Sequence, residues 1–241
     1  MLAITKDLIN WIKNYFKDNP DGKVICGISG GKDSTIVAAL CKEALGADRV
    51  IGVLMPNGVQ ADIDDSYAVC MKLGLKYHRI NINSAYDELT KQILANTSIQ
   101  DIPPEVKTNL PARLRMSTLY SIAALYPNSR VVNTSNFSER YIGYSTKFGD
   151  GAGDFSPLGN LTVREVLAIG DDLGLPYDLV HKTPSDGMSG KSDEERIGFS
   201  YDELDDYLIH GKATDEVEEK IEKMHNANLH KIYPMPMFVP A

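Results

Sequence analysis

The string Ser29-Gly30-Gly31-Lys32-Asp33-Ser34 holds more potential chemistry than any other stretch of this chain. Two adjacent glycines let the backbone bend tightly and aim successive amide N–H groups into one concavity. A helix starting directly after such a turn adds the positive end of its dipole, so the whole becomes a cradle for an anion. The string is not a Walker A loop, which has four residues between its glycines and then Lys and Ser or Thr. Here Gly27 and Gly31 have three between them, and Asp33 follows the lysine. A carboxylate beside phosphates repels them unless a divalent cation intervenes, so Asp33 reads as a Mg²⁺ ligand. The plain alternative is a Gly-Gly turn leading into a capped helix.

The surrounding pattern says what positions this string. Apolar residues from Ile4 to Phe16 recur at helical spacing, and Asn19-Pro20-Asp21-Gly22 makes a turn. Lys23 to Ile28 is a buried strand, and Ser34 to Leu45 is a helix stopped by Gly46. The alternation repeats with strands at Val50–Met55 and Lys76–Ile82 and helices at Asp62–Leu73 and Ser84–Leu94. Residues 97–107 read as a loop, Thr108 to Tyr126 as a long helix, and Arg130 to Asn133 as a fourth strand. After a Gly-, Asp- and Ser-rich stretch at 143–159, helices are expected at Thr162–Leu173, Tyr201–Ile209 and Thr214–Asn226. Lys182 to Glu195 is a polar lid or a solvated loop, and the three prolines in Ile232–Ala241 exclude regular helix. Strands alternating with helices predict an α/β fold, a mainly parallel sheet with helices on both faces, built as one domain over residues 1–241. In such sheets ligands bind at the carboxyl ends of the strands, where the glycine string sits.

Composition narrows the class. The chain has 241 residues, is 43% hydrophobic and 24% charged, and carries a net charge of −8. An acidic chain argues against nucleic acid as a partner. No run is long enough to span a membrane. The N-terminal segment is broken by Lys6, Asp7 and Lys13 and lacks a cleavage site, so it is not a signal peptide. Cys26, Cys41 and Cys70 form no CxxC pair and read as buried thiols in a reducing cytoplasm.

The glycine string is similar to the phosphate loop of the ATP-pyrophosphatases, which share an adenine-nucleotide α-hydrolase-like, Rossmann-like fold and cut ATP between its α and β phosphates. Three further stretches resemble NAD synthetases. Asn109-Leu110-Pro111-Ala112-Arg113-Leu114-Arg115-Met116 matches their N-x-x-A-R-x-R-M block. Thr146 to Asp154 matches T-K-(Y/F)-G-D-G-x-x-D, followed by Pro157-Leu158. Ser192 to Leu208 matches a late block that ends in D-x-Y-L. The resemblance covers residues 5–231, nearly the whole chain. It implies an ammonia-dependent ligase that adenylates the nicotinate carboxylate of deamido-NAD with ATP and Mg²⁺ and then amidates it, releasing AMP and pyrophosphate. Alternatives are a tRNA-modifying pyrophosphatase or a non-catalytic nucleotide sensor.

The resemblance also implies roles. Gly27, Ile28, Ser29, Gly30, Gly31, Lys32, Asp33, Ser34, Thr134 and Ser185 contact ATP, and Asp33 and Glu139 hold Mg²⁺. Arg113, Lys147, Asp154, His230 and Lys231 contact deamido-NAD, the last two across a homodimer interface. Lys32, Asp33 and Asp150 are the candidate catalytic residues, with Asp150 stripping a proton from ammonium. Arg113 and Arg115 stand two apart on one helix and point in different directions, so one can reach a phosphate while the other makes a structural pair. Leu114, Leu119, Ile122 and Leu125 offer the same helix an apolar stripe for a second copy. Gly149, Gly151 and Gly153 lack the strand, spacing and helix of a dinucleotide fingerprint. One departure stands out: Val163 occupies a position where the family often has a phosphate-binding lysine, so either Lys182, Lys191 or Lys32 supplies that charge or the site is weaker for ATP. The glutaminase domain of glutamine-dependent relatives does not fit in this length, which predicts free or delivered ammonia as the nitrogen source.

Overall fold

The computed structural model describes residues 1–60, 62–181 and 192–240. Four parallel strands form one sheet in the order β3-β2-β1-β4, with β1 Val24–Gly27, β2 Val50–Leu54, β3 Lys76–Arg79 and β4 Arg130–Val131. The helices among the described residues are α1 Ala3–Tyr15, α2 Lys32–Leu45, α3 Ile63–Leu73, α4 Asn83–Asn96, α5 Pro104–Ala123, α6 Phe137–Ile142, α7 Val163–Asp172, α8 Tyr177–Val180, α9 Asp193–Ile197, α10 Tyr201–His210 and α11 Asp215–Ile232.

Side chains alternate across a strand, and both faces of this sheet are covered. Val24, Cys26, Val50 and Leu54 face one cluster with Ile12, Ile36, Leu40, Val69, Val166 and Ile169 from α1, α2, α3 and α7. Ile25, Ile51, Val53 and Val131 face the other way, onto Met116 and Leu119 of α5. A third cluster joins Ile142, Val163, Ile197, Tyr201, Leu204 and Ile221 from α6, α7, α9, α10 and α11. The doubly covered parallel sheet expected from the alternation is therefore present.

Several boundaries differ for identifiable reasons. The loop expected at 97–107 ends at Pro103, because Pro104 opens α5 at the first helical position, where its missing N–H costs nothing. The strand expected at Arg130–Asn133 is only two residues long, and Val132 makes one further parallel bridge, to Phe155. The strand expected at Lys76–Ile82 stops at Arg79. α11 continues past Asn226 to Ile232. α6, α8 and α9 were not expected; each is six residues or shorter, too short for periodicity to register. The apolar stripe assigned to a second copy mostly serves this chain: Leu119 is buried under the sheet, Leu114 and Ile122 pack beside it, and only Leu125 is well exposed.

Candidate active site at the carboxyl ends of the strands

A cavity of about 700 Å³ opens where β1, β2 and β4 end. Its floor is the glycine string. Gly27 closes β1, and the Ile28 amide still donates to Val53 O at 3.0 Å. Gly30 takes a φ of +81°, which the turn requires, and α3 packs so closely there that a β-carbon would stand 2.8 Å from Asp65 Cβ. Gly31 is the N-cap of α2, and no side chain caps that end. The first-turn N–H groups of α2 are therefore available to an anion. Within the loop, Ser29 Oγ and Ser34 Oγ lie 3.1 Å apart, Gly31 N–H donates to Ser29 Oγ, and Ser34 Oγ donates to Gly31 O.

Two carboxylates meet at this floor. Asp33 lies in the first turn of α2, and Glu139 in the first turn of α6. Asn136 ties them: its side-chain Oδ1 accepts from Glu139 N–H at 2.9 Å, and its Nδ2 donates to Asp33 Oδ1 at 3.1 Å. Asn136 is fully buried and serves as the N-cap of α6. Burial pushes the Glu139 carboxyl up to about 8, and the nearby Asp33 charge adds to that, while Lys32 opposes it. The Lys32 ammonium pairs with Asp33 Oδ2 at 2.8 Å and stands 5.6 Å from the centroid of the Tyr201 ring. Burial alone would lower the Lys32 ammonium; the carboxylates of Asp33, Glu139 and Asp193 outweigh it and hold the group above its ordinary value.

Two carboxylates sharing a buried floor fit a divalent cation. Among the described residues no group of three or more His, Cys, Asp and Glu side chains could hold a metal ion. One or two carboxylates completed by substrate phosphates is the usual arrangement for Mg²⁺, which binds oxygen and keeps several waters.

The walls carry the remaining charge. Thr134, Asp150, Arg115, Asp193, Arg196 and Lys231 all line the cavity. Arg115 Nε donates to Met55 O at 3.0 Å, and burial lowers its guanidinium from the ordinary value. Asp150 accepts from Thr146 N–H at 2.9 Å; burial raises its carboxyl, while that hydrogen bond and Lys231 pull the other way. Asn133 fastens this segment to the end of β4 through Nδ2, which donates to Asp150 O at 2.7 Å and Ala152 O at 2.9 Å. Asn57 Oδ1 and Ser66 Oγ, also on the wall, are buried without a hydrogen-bond partner.

Gly30 and Ser34 of the glycine string do not line the cavity, and four further sequence-named residues, Arg113, Lys147, Asp154 and His230, stand off this wall. Arg113 is exposed and donates through Nε to Lys147 O at 3.2 Å, and Lys147 Nζ donates to His230 O. Asp154 is engaged within the fold, its Oδ2 accepting from Val131 N–H at 2.7 Å and its Oδ1 from Tyr120 at 3.1 Å. Phe148 is held at a φ of +65° and is 67% exposed, with the Lys147 ammonium 5.4 Å from its ring centroid. Ser185, Lys182 and Lys191 lie outside the described residues. Of the two arginines on α5, the cavity receives Arg115. Asn136 went unnamed in the sequence, although Asn136-x-x-Glu139 is the spacing of a helix N-terminus, and Asp193 and Arg196 lie in the late block without having been given a site role. The late D-x-Y-L block finds a structural role: buried Asp205 accepts from Ser138 Oγ at 2.5 Å and from Arg164 N–H at 2.8 Å, joining α6 to the start of α7. Val163 is buried in the cluster that contains Tyr201.

Residues 4–236 match the family model described as NAD synthase. An NH3-dependent NAD(+) synthetase of Alkaliphilus metalliredigens is 35% identical, with 95% of each chain covered. Among solved structures, an NMN synthetase from Francisella tularensis superposes with a TM-score of 0.89 at 32% identity, covering 97% of this chain and 96% of that one. An NH3-dependent NAD synthetase from Campylobacter jejuni gives 0.78 at 30% identity, covering 98% and 97%. Taken with the cradle and the parallel sheet beneath it, these matches establish that the chain belongs to the NAD synthase family.

Proposed function

We propose that this protein is an ammonia-dependent ligase that turns the nicotinate carboxylate of deamido-NAD into a carboxamide at the expense of ATP, the last step in making NAD. The observation that carries this reading is the uncapped start of α2 beside the Asp33–Glu139 pair, an anion cradle and a cation site on one cavity floor. The nicotinate carboxylate, already ionised, attacks the α-phosphorus; the bond to the β-phosphate oxygen breaks and pyrophosphate leaves. Ammonia then attacks the acyl carbon of the adenylate, and AMP departs. The N–H groups at the start of α2, with Ser29 and Ser34, take the charge developing on pyrophosphate. Asp33 and Glu139 would hold Mg²⁺, which when bound neutralises phosphate charge. Bringing two polyanions together carries a Coulomb cost that Lys32, Arg115, Arg196 and Lys231 offset. Asp150 accepts the proton that ammonium must lose.

Lys32 is the cation that stands in for the lysine absent at Val163, because its ammonium lies over the Tyr201 ring of the cluster that buries Val163. We place Thr134 with ATP, and Arg113, Lys147, Asp154, His230 and Lys231 with deamido-NAD. The four residues off the wall act in a homodimer, where a second copy covers the exposed face around Phe148. The chain acts as one catalytic domain. Three unpaired, buried cysteines support a cytoplasmic setting, and no helix among the described residues is long and apolar enough to cross a membrane.

A second reading has its own support. The Francisella NMN synthetase superposes better than the Campylobacter NAD synthetase, with TM-scores of 0.89 and 0.78. The acceptor is then nicotinic acid mononucleotide, with the same activation and amidation. One experiment tests both: incubate the protein with ATP, Mg²⁺ and ammonium plus either deamido-NAD or nicotinic acid mononucleotide. AMP and the matching amide from deamido-NAD support the first reading, a strong preference for the mononucleotide supports the second, and no AMP with either overturns both.

A further inference from the structure

The helix that carries Glu139 is too short to close all of its own carbonyl groups, and α11 supplies the donors missing at Tyr141 O and Ile142 O. α6 spans six residues and ends at Gly143, which takes the left-handed conformation with φ 65°. That turn satisfies two carbonyls: Gly143 N–H donates to Arg140 O at 3.1 Å, and Tyr144 N–H to Glu139 O at 2.9 Å. The next two, and Gly143 O which also accepts from Ser145 N–H at 2.8 Å, receive side chains from successive turns of α11. His225 Nδ1 lies 2.7 Å from Tyr141 O, Asn228 Nδ2 lies 3.0 Å from Ile142 O, and Lys231 Nζ lies 3.0 Å from Gly143 O. A carbonyl can only accept, so His225 carries its proton on Nδ1. Each carbonyl from Glu139 to Gly143 thus has a donor.

The approach is as close as the backbone allows. A β-carbon at position 143 would stand 2.3 Å from Asn228 Cβ. The Tyr141 ring stacks on the His225 imidazole with centroids 4.2 Å apart, and Tyr141 and Tyr207 both donate to Glu222 Oε1. A helix this short has little stability of its own, so its position is set by what holds it. Asn136 and Ser138 fasten its start to Asp33 and Asp205. The three donors from α11 fasten its end.

We infer that His225 and Asn228, with Lys231, are positioning residues for Glu139, a three-rung ladder that fixes the depth of α6 and so brings its carboxylate to Asp33. The inference rests on the reading of Asp33 and Glu139 as a divalent-cation pair. Groups that orient a metal's ligands govern its affinity by about tenfold or more.

The test uses the full chain and Mn²⁺, which prefers the same oxygen ligands as Mg²⁺, read by electron paramagnetic resonance with α,β-methylene ATP present. His225→Phe keeps a flat ring against Tyr141 and removes the donor. His225→Asn keeps an N–H near the Nδ1 position, and Asn228→Ala removes the middle rung. His225→Phe and Asn228→Ala should weaken Mn²⁺ binding about tenfold, and His225→Asn should recover most of it. In turnover the magnesium concentration for half-maximal rate should rise by the same factor while kcat at saturating magnesium holds, a split that a mere loss of folded protein does not give. Should His225→Phe fail to fold, Asn228→Ala decides. Folded ladder variants that bind Mn²⁺ like the parent, while Glu139→Gln loses it, overturn the ladder and leave the acid pair standing. Glu139→Gln binding Mn²⁺ normally overturns both.

Discussion

The Lys32 ammonium sits 2.8 Å from the Asp33 carboxylate, with 5% of its side chain exposed and 17% of its partner's. A lysine thus occupies the acid floor as an internal counter-charge. In the absence of metal it pairs with the Asp33 carboxylate, beside a Glu139 carboxyl that burial keeps protonated up to about 8.

Removing that charge should make the metal-free protein fragile. Lys32→Met leaves the Asp33 carboxylate without its buried cation and should cost about 3 kcal/mol, read from urea melts in chelator. Magnesium should restore part of the loss in the variant and much less in the parent. Equal midpoints for both proteins in chelator would refute the counter-charge role.

Glu139 gives the metal-free protein a pH dependence. The folded carboxyl keeps its proton up to about 8, whereas an ordinary glutamate releases it near 4.5. Between those values the folded state binds more protons, so stability should fall as pH rises and level off above the upper one. Glu139→Gln should flatten that slope. A parent protein in chelator whose stability rises over the same window would show that Glu139 titrates differently.

Gly30→Ala should damage the cradle without touching any functional side chain. The new methyl meets Asp65 Cβ at 2.8 Å and Ser66 N at 3.0 Å, on a residue already at φ +81°. The backbone must then shift, at about 1–3 kcal/mol, and the amides at Gly31 and Lys32 lose their aim. Calorimetry should show ATP affinity falling well ahead of global stability. ATP binding as tight as the parent's would mean the loop does not hold the phosphates.

Asp150→Asn separates the two half-reactions. The adenylation step needs no base, so exchange of labelled pyrophosphate into ATP in the presence of the nicotinate substrate should persist. Overall turnover with ammonium at neutral pH should fall about 100-fold and recover as pH rises and free ammonia accumulates. Full turnover in the variant would remove Asp150 from the proton transfer.

How much of this was legible in the sequence depended on range. The cradle was, because Gly30, Gly31 and the start of a helix are neighbours in the chain and their conformational demands are local. The centre of the sheet was, because β1 and β2 are short apolar runs separated by a helical period. Which of Arg113 and Arg115 lines this cavity was not. It turns on how α5 rotates about its axis, which the packing of Met116 and Leu119 against Ile25 and Val53 decides. α6 was invisible for the same kind of reason. Six residues carry no periodic signal, and what holds them, Asp33, Asp205 and the donors of α11, lies roughly 60 to 100 residues away in sequence. Pro104 misled because a proline reads as a breaker until the helix is seen to begin there.

The most direct measurement follows the oxygen atoms. If the nicotinate carboxylate attacks the α-phosphorus, one of its oxygens must leave with AMP. With the carboxylate labelled by heavy oxygen, mass spectrometry of the product should find one labelled atom in the phosphate of AMP and the other in the new amide. AMP free of label, or ADP and orthophosphate in its place, would contradict adenylation at this site.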